Sequence, residues 1–243
     1  MMSTPKGNQP QMTESLYLAT NEVLEALGGK WNKKAKAHLF DGDAADLVEE
    51  TVLTGTFTKT KQDFGFFETP LKVVELMWEV ADLNSNSIIL EPEAGRGAIA
   101  VPTLLKYHPK AMTCFELQER NIDKLDERVC NATCEWTTRD DFPVINADFL
   151  ATTPKPTFTH VLMNPPFSRR ADIHHIRHAF KFLRPKGRLV AIASASVLFR
   201  TDALATDFRA FIDAHNGHIE GLPEASFKES GTMVNTVLIH LSA

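Results

Sequence analysis

Ile88-Ile-Leu-Glu-Pro-Glu-Ala-Gly-Arg-Gly97 combines a short apolar run with two glycines that follow within a few residues. Apolar runs of this length are typical of buried parallel strands. Glycine allows the backbone to turn tightly and to approach a ligand without a Cβ in the way. Because ligands of open α/β sheets bind outside the carboxyl ends of the strands, the turn at Gly95 and Gly97 predicts a ligand site.

An acid lies at the end of the next predicted strand, which runs over residues 111–117. From that position the carboxylate of Glu116 can accept hydrogen bonds from both ribose hydroxyls of a nucleotide-like cofactor. The nicotinamide-binding pattern GxGxxG is incomplete, since Ala100 stands where its third glycine would be, and no phosphate-loop Gly-Lys-Ser/Thr follows. A plain turn from strand to helix is the alternative interpretation of the glycines alone.

Helices and strands alternate over most of the chain. We predict helices over residues 71–81, from the glycine turn to 105, and over 119–131, 172–183 and 202–215, and strands over 87–91, 111–117, 158–163, 187–193 and 234–241. Strands separated by helical crossovers predict a doubly wound α/β sheet. This domain is predicted to span residues 59–243. A small, mainly helical N-terminal extension over residues 1–58, with helices at 14–27 and 43–53, precedes it.

Composition indicates a globular protein of a reducing compartment. The chain has 243 residues, of which 43% are hydrophobic, enough for one large domain with an appendage. The three cysteines form no CxxC pair. No apolar run approaches the roughly 20 residues of a membrane span, and the N-terminal residues do not resemble a secretory signal, so we expect a cytoplasmic protein. The net charge of −5 argues weakly against a nucleic-acid partner, although a local basic patch can outweigh it.

Asn164-Pro165-Pro166-Phe167 is the most specific motif of the chain, and it directly follows the predicted strand at 158–163. An aromatic amine such as that of adenine is a poor nucleophile, because its lone pair is delocalised into the ring. The Asn164 side-chain oxygen and the Pro165 carbonyl are suitable acceptors for both of its hydrogens. The prolines stiffen the loop, and Phe167 can stack on a base swung out of a helix. The alternative is a simple proline turn.

In these motifs the chain resembles the gamma-class N6-adenine DNA methyltransferases. The resemblance covers roughly residues 60–243, and its elements occur in the order Phe67-Glu-Thr-Pro70, the glycine turn, Glu116, Asp148-Phe149, Asn164 to Phe167, and Phe227-Lys-Glu-Ser-Gly-Thr232. It implies the class I methyltransferase fold, a Rossmann-like sheet that is mostly parallel with an antiparallel last strand. It also implies S-adenosylmethionine as cofactor, no metal, and double-stranded DNA with a flipped adenine as substrate.

The resemblance also implies roles for individual residues. Phe67, Thr69 and Pro70 would line the methionine end of the cofactor, Glu91 and Gly95 its methionine and ribose part, Glu116 the ribose, and Asp148 and Phe149 its adenine. Pro92, Ala94, Gly97, Leu117 and Asn164 complete the predicted cofactor-binding set. Phe227 would pack against the target base. Phe67 and Phe227 are equally well explained as core aromatics.

Two departures from the class bear on specificity. Arg96 stands where a small or polar residue is expected, with its side chain directed to solvent or to phosphate. The chain also ends eleven residues after Thr232, where the class commonly continues into a large target-recognition domain. We therefore expect relaxed or very short sequence specificity, as in small freestanding phage or mobile-element enzymes that protect DNA from restriction.

Two basic stretches are candidates for DNA contact. Residues 169–188 contain seven Lys or Arg and only one acid, and the basic residues include Arg169, Arg170 and Arg177. The alternative interpretation is a solvated helix face. The second stretch, residues 30–38, carries Lys33, Lys34 and an indole, and either grips the DNA or forms an exposed helix packed through Trp31. Histidines at 174, 175 and 178 lack the acid or Cys partners of a metal site.

Other functions remain open at this stage. The same loop motif serves enzymes that methylate RNA bases (adenine N6 or guanine N2) or a protein glutamine, and the fold also suits an inactive nucleic-acid-binding scaffold. A nicotinamide oxidoreductase would need a Tyr–Lys proton donor near the cofactor. Tyr17 and Tyr107, however, lie in predicted helices away from the strand ends. The basic stretches favour nucleic acid over protein as the substrate.

Overall fold

The computed structural model describes residues 13–40, 48, 51–52, 68–137, 139–223, 225–230 and 235–243. Several predictions lie wholly or partly outside these residues. They are the helix at 43–53, the domain boundary between 58 and 59, the position of Phe67, and the stretch 231–234 at the predicted start of the last strand.

The described N-terminal part consists of a helix and a hairpin. Helix α1 (Glu14–Ala26) is capped by Thr13, whose side chain accepts a hydrogen bond from the Leu16 amide. Strands β1 (Lys30–Asn32) and β2 (Ala37–Leu39) pair antiparallel. The Asn32 side-chain oxygen accepts from the Lys34 amide at 3.0 Å and the Ala35 amide at 2.9 Å, which closes the turn. The alternative prediction of a helix here is therefore wrong.

The main domain is built on a seven-stranded sheet of order β5-β4-β3-β6-β7-β9-β8. Its strands are β3 (Ile88–Glu91), β4 (Ala111–Glu116), β5 (Val144–Asn146), β6 (Phe158–Met163), β7 (Leu183–Ser194), β8 (His218–Gly221) and β9 (Thr236–Ser242). Every pairing is parallel except those of β9, which lies between β7 and β8 and runs antiparallel to both. The predicted doubly wound sheet with an antiparallel last strand is confirmed.

Helices cover both faces of the sheet. They are α2 (Leu71–Ala81), α3 (Ala100–Tyr107), α4 (Glu119–Thr133), α5 (Ala171–Phe180), α6 (Ser196–Phe199) and α7 (Ala203–Ala214). One buried cluster joins α2, α3 and α4 to the sheet through side chains such as Met77, Leu104 and Leu125. A second joins α5 and α7 to it through Ile176 and Phe208. Since these side chains are fully buried, truncating one to alanine should cost about 2–5 kcal/mol.

Strands β5 and β8 were not predicted from the sequence. Each has only three or four residues, and each includes exposed polar positions such as Asn146 and Glu220. Their apolar pattern is therefore too short to show a period. They are strands because neighbouring β4 and β9 offer them backbone partners at the two sheet edges.

The connections create a crevice at one edge of the sheet. From β3 the chain moves outward through β4 to β5, and it then returns to β6 on the other side of β3. At such a switch point the loops that follow the two central strands diverge, and ligands bind between them. The glycine turn follows β3 and the Asn164 loop follows β6, so both predicted motifs flank this crevice.

Candidate active site

A cavity of about 350 Å³ lies at the carboxyl edge of the sheet, within the size range of small-molecule sites. Its lining includes most of the predicted site residues: Thr69, Glu91, Pro92, Ala94, Gly95, Glu116, Leu117, Asp148, Phe149, Asn164 and Pro166. Residues separated by almost a hundred positions in sequence thus meet in one cavity. The lining also includes residues that the sequence did not identify as ligands, among them Glu68, Glu93, Arg96, Leu150 and His175.

The glycine turn forms one wall of the cavity. Gly95 and Gly97 have φ values of 57° and 83°, which L side chains rarely adopt. A Cβ on Gly97 would also lie 2.9 Å from Val101 Cγ2, so this glycine is required by packing as well as by conformation. The Ala94 amide donates to the Phe115 carbonyl at 2.8 Å, which ties the turn to β4. Gly97 therefore packs against α3 and α4 and does not itself line the cavity.

Glu116 is a hydrogen-bonded acceptor at the end of β4. One carboxylate oxygen accepts from the Gly95 amide at 2.8 Å, and the other accepts from the Gln118 amide at 2.7 Å. These bonds hold the buried carboxylate in a fixed orientation at the cavity wall. The side chain of Leu117, which follows it, is 67% exposed, and Leu150 on the facing loop is 40% exposed. Together they offer apolar surfaces on which a flat aromatic group can lie.

Two further acids, Glu91 and Glu93, line the cavity, and both have raised pKa values. Burial raises the pKa of Glu91 well above its ordinary value of 4.5, and the neighbouring Glu93 raises it further. Burial also raises the pKa of Glu93, although its bond to His175 opposes the shift. Among the described residues, each acid has one buried carboxylate oxygen without a hydrogen-bond partner. Such oxygens are costly unless a ligand supplies a donor or a positive charge.

Glu93 pairs with His175 across the cavity, with 2.5 Å between the Glu93 Oε1 and the His175 Nδ1. His175 lies on α5, so the pair links the glycine turn to the helix that follows the Asn164 loop. Sequence reasoning missed both residues. The only available signal was an acid inside the glycine turn, where small residues are common.

Asn164 lies in the loop after β6 and lines the cavity. Its Nδ2 donates to Thr69 Oγ1 at 3.0 Å, and this bond determines which edge of the amide carries the carbonyl oxygen. Pro165 next to it is buried, and Pro166 lines the cavity. Phe167 is half-buried against the core cluster of α2 and α3. Pro70 lies outside the cavity lining and instead precedes α2 as its N-cap residue.

Phe227 is buried in the core, with only 1% of its surface exposed. It belongs to the same cluster as Val74 and Met77. The predicted contact with a target base does not match this placement, because the ring has no surface that a base can reach. The alternative prediction, a core aromatic, describes it correctly.

The predicted DNA-contacting arginines differ in what they touch. Arg169 is exposed. Arg170 forms an ion pair with Asp202. Arg177 donates to the Asp207 carbonyl at 2.8 Å and lies over the Phe211 ring. The last two side chains therefore already bind α7 or the residue before it, and only Arg169 presents its side chain broadly to solvent.

The N-terminal basic stretch presents its charges at the hairpin turn. Lys33 and Lys34 are exposed there. Trp31 is 44% exposed and packs edge-on against His38 on the opposite strand, with ring centroids 5.2 Å apart. The indole is thus supported by its own hairpin. Arg96, whose role the sequence left open, donates from Nε to Asn121 at 3.2 Å on α4 while staying exposed.

The described residues contain no cluster of three or more His, Cys, Asp or Glu side chains arranged to hold a metal ion. No helix within the described ranges is long and apolar enough to cross a membrane.

Comparison with known proteins identifies the class. The family model of the methyltransferase small domain matches residues 50–217, more than half of the chain, and the chain therefore belongs to this family. Its sheet has the class I fold of S-adenosylmethionine-dependent methyltransferases. No curated protein matches the chain in sequence.

Solved structures share the fold at low sequence identity. A type I restriction-modification system methyltransferase subunit from Streptococcus thermophilus has a TM-score of 0.63 and 22% identity over 83% of this chain. A dimethyladenosine transferase from Plasmodium falciparum has a TM-score of 0.55 and 17% identity over 73% of this chain. TYW2 from M. jannaschii in complex with AdoMet has a TM-score of 0.53 and 14% identity over 74% of this chain. This chain covers 50%, 63% and 78% of those three chains, respectively.

The cavity fits S-adenosylmethionine by the chemistry of its lining. The cofactor carries a sulfonium and an ammonium group, and the unpartnered oxygens of Glu91 and Glu93 are buried where positive charge is favourable. The fixed carboxylate of Glu116 suits ribose hydroxyls, and Leu117 and Leu150 suit the faces of an adenine ring. The buried acids, the fixed carboxylate and the apolar surfaces therefore correspond to the cationic groups, the ribose and the adenine of this cofactor.

Proposed function

We propose that the protein methylates the exocyclic N6 of adenine in DNA. The observation that carries the proposal is the placement of Asn164. It lies at the end of β6, lines the cavity that fits the cofactor, and has its amide oriented by the hydrogen bond to Thr69. An amide oxygen and a proline carbonyl in this position form an acceptor pair for an NH₂ group.

Each residue of the loop has a distinct role. The Asn164 oxygen and the Pro165 carbonyl accept the two amine hydrogens, which reduces delocalisation of the lone pair into the ring. Pro165 and Pro166 keep the loop in one conformation and place no amide N–H beside the amine. Phe167, half-buried against the core, offers a ring face for stacking on the extruded base.

The bound cofactor supplies an electrophilic methyl group on a sulfonium. With the cofactor bound, the amine nitrogen would take this methyl group as its bond to sulfur breaks, and the methylated amine would then carry the positive charge. Asn164 and Pro165 hold its protons, and one proton leaves to solvent after the transfer. No strong general base is needed, because the cationic amine is a strong acid compared with the neutral one.

A nucleic acid is the favoured class of substrate because exposed cations are present on the loop after β6 and on the N-terminal hairpin. Arg169 follows the Asn164 loop by two residues, and Lys33 and Lys34 extend from the hairpin. Such groups bind phosphates without reading sequence. The Streptococcus thermophilus protein with a similar fold is a restriction-modification methyltransferase subunit. Its DNA-related role supports the same substrate class here.

Mass spectrometry of nucleosides tests the proposal. Duplex DNA and total RNA are incubated separately with S-adenosylmethionine and the wild-type protein, Asn164→Ala, or the control Asn131→Ala, which changes an exposed residue of α4. We expect N6-methyladenine in DNA with wild type and control, and near-background levels with Asn164→Ala. Methylation confined to RNA, as N6-methyladenine or N2-methylguanine, would contradict the choice of substrate.

A further inference from the structure

We propose that Leu198 and Phe199 form an apolar wedge that enters the DNA base stack where the target adenine leaves it. This proposal rests on the proposed function, and it identifies residues that promote extrusion of the base. The two side chains follow β7, at the same edge of the sheet as the cavity. They are 49% and 72% exposed, whereas Ser196 and Val197 before them are 5% and 2% exposed.

The segment that carries these side chains is held firmly. Arg209 on α7 donates from Nη1 to the Val197 carbonyl at 2.7 Å and to the Arg200 carbonyl at 2.9 Å. The Ser194 hydroxyl donates to the Ser196 hydroxyl at 3.0 Å. A segment fixed at both ends cannot turn its apolar side chains inward. The exposure of Leu198 and Phe199 is therefore a property of the folded backbone.

The same segment is joined to the loop that follows Asn164. Strands β6 and β7 are parallel neighbours, with Met163 opposite Ala191. Beyond them, the Ser194 amide donates to the carboxylate of Asp172 at 3.0 Å, and Asp202 binds both Arg170 and Arg200. These contacts connect the residues that follow the Asn164 loop with those at and after the end of β7. The apolar pair is thus held in register with the loop that receives the base.

Duplex DNA is the occupant that matches this surface. A base that leaves the stack opens an apolar gap of aromatic thickness, and side chains such as Phe and Leu fill such gaps in other DNA-binding proteins. The exposed Arg169 on the adjacent loop provides a contact for the flanking phosphate. Exposed apolar groups beside a cation, at the edge where a base must enter, fit a nucleic acid better than an apolar protein surface.

Two DNA substrates separate this role from catalysis. One is a fully paired duplex, and the other is the same duplex with an abasic site opposite the target adenine, where the pairing that opposes extrusion is already lost. We expect Phe199→Ala to lower kcat/KM on the paired duplex about tenfold or more, and to lower it about twofold or less on the abasic duplex. Leu198→Ala should act in the same direction, and Phe199→Trp should keep the wild-type rate.

The control is Leu105→Ala, since the exposure of Leu105, 56%, lies between those of Leu198 and Phe199, but it is near the end of α3, away from the carboxyl edge. Calorimetry with S-adenosylmethionine should give the same affinity for all variants. An equal loss on both duplexes, or no loss on either, would overturn the wedge. A change of oligomeric state in Phe199→Ala with unchanged duplex activity would assign the surface to a protein partner instead. If wild type methylates neither duplex, the proposed function fails and not the wedge alone.

Discussion

The Nδ2 of Asn164 lies 3.0 Å from the Oγ1 of Thr69, although the two residues are 95 positions apart in the chain. Thr69 precedes α2 and is buried, whereas Asn164 begins the loop after β6. The hydroxyl therefore fixes the rotation of the amide that is proposed to bind the target amine. Because this hydrogen bond joins two distant segments, the geometry of the loop depends on how α2 and β6 pack in the folded domain.

Replacing Thr69 with valine removes this acceptor while keeping the shape of the side chain. We expect Thr69→Val to lower kcat about tenfold, because a lost hydrogen bond costs about 1 kcal/mol and the amide is then free to rotate. Thr69→Ser retains the hydroxyl and should keep kcat within about threefold of wild type. Steady-state methylation of DNA measures both variants. Equal losses in the valine and serine variants would contradict the positioning role.

Glu116 accepts backbone hydrogen bonds from both Gly95 and Gln118. In Glu116→Gln, one oxygen becomes an NH₂ group that faces an amide donor, and the acceptor for ribose is weakened. We expect the Kd for S-adenosylmethionine to rise about tenfold or more, since hydrogen bonds to charged groups contribute about 1.5–3 kcal/mol. Isothermal titration calorimetry provides the measurement. The control Glu119→Gln, which removes an exposed acid at the start of α4, should bind the cofactor as wild type does.

The elements with strong apolar patterns were predictable from the sequence. Helix α2 and strand β6 have the bounds predicted for them, because each is bordered by a clear signal: Pro70 before the helix and Asn164 after the strand. The position of the crevice was also predictable, since two loops with distinctive residues emerge at the same edge of a parallel sheet. The cavity residues Glu116 and Asn164 could therefore be placed together without coordinates.

Contacts made by polar side chains across the fold were not predictable. Nothing in the sequence near Arg170 indicates that Asp202 binds it, so both Arg170 and Arg177 resembled exposed DNA contacts. The same holds for Glu93 and His175, whose pairing depends on how α5 packs over the glycine turn. Phe227 looked like a binding aromatic because its burial is determined by α2 and the sheet, far away in sequence.

Asp172 contributes to stability at the junction of two loops. Its carboxylate is buried and accepts from the Ile173 and Ser194 amides, both at 3.0 Å. Asp172→Asn places an NH₂ group against one of these donors, and we expect a loss of about 1–3 kcal/mol in the free energy of unfolding. Urea denaturation gives this value. Asp207→Asn, at an exposed position of α7, should change it by about 0.5 kcal/mol or less.

Glu91 should make the stability of the cofactor-free protein fall as pH rises. Burial and the carboxylate of Glu93 raise its pKa above the ordinary 4.5, so the folded protein keeps a proton that the unfolded chain has already lost. The free energy of unfolding then decreases progressively as pH rises from the pKa of Glu91 in the unfolded chain through its higher pKa in the folded protein. Glu91→Gln mimics the protonated acid and removes this penalty.

We therefore expect the Tm of Glu91→Gln to exceed that of wild type at neutral and alkaline pH, with the difference vanishing near about pH 4.5. Thermal unfolding of both proteins without cofactor, from about pH 4 to about pH 9, measures the effect. Saturating S-adenosylmethionine should reverse the order at neutral pH, because its cationic groups favour the ionised carboxylate that only wild type provides. A Tm difference that is constant across this range would show that Glu91 keeps its ordinary pKa in the folded protein.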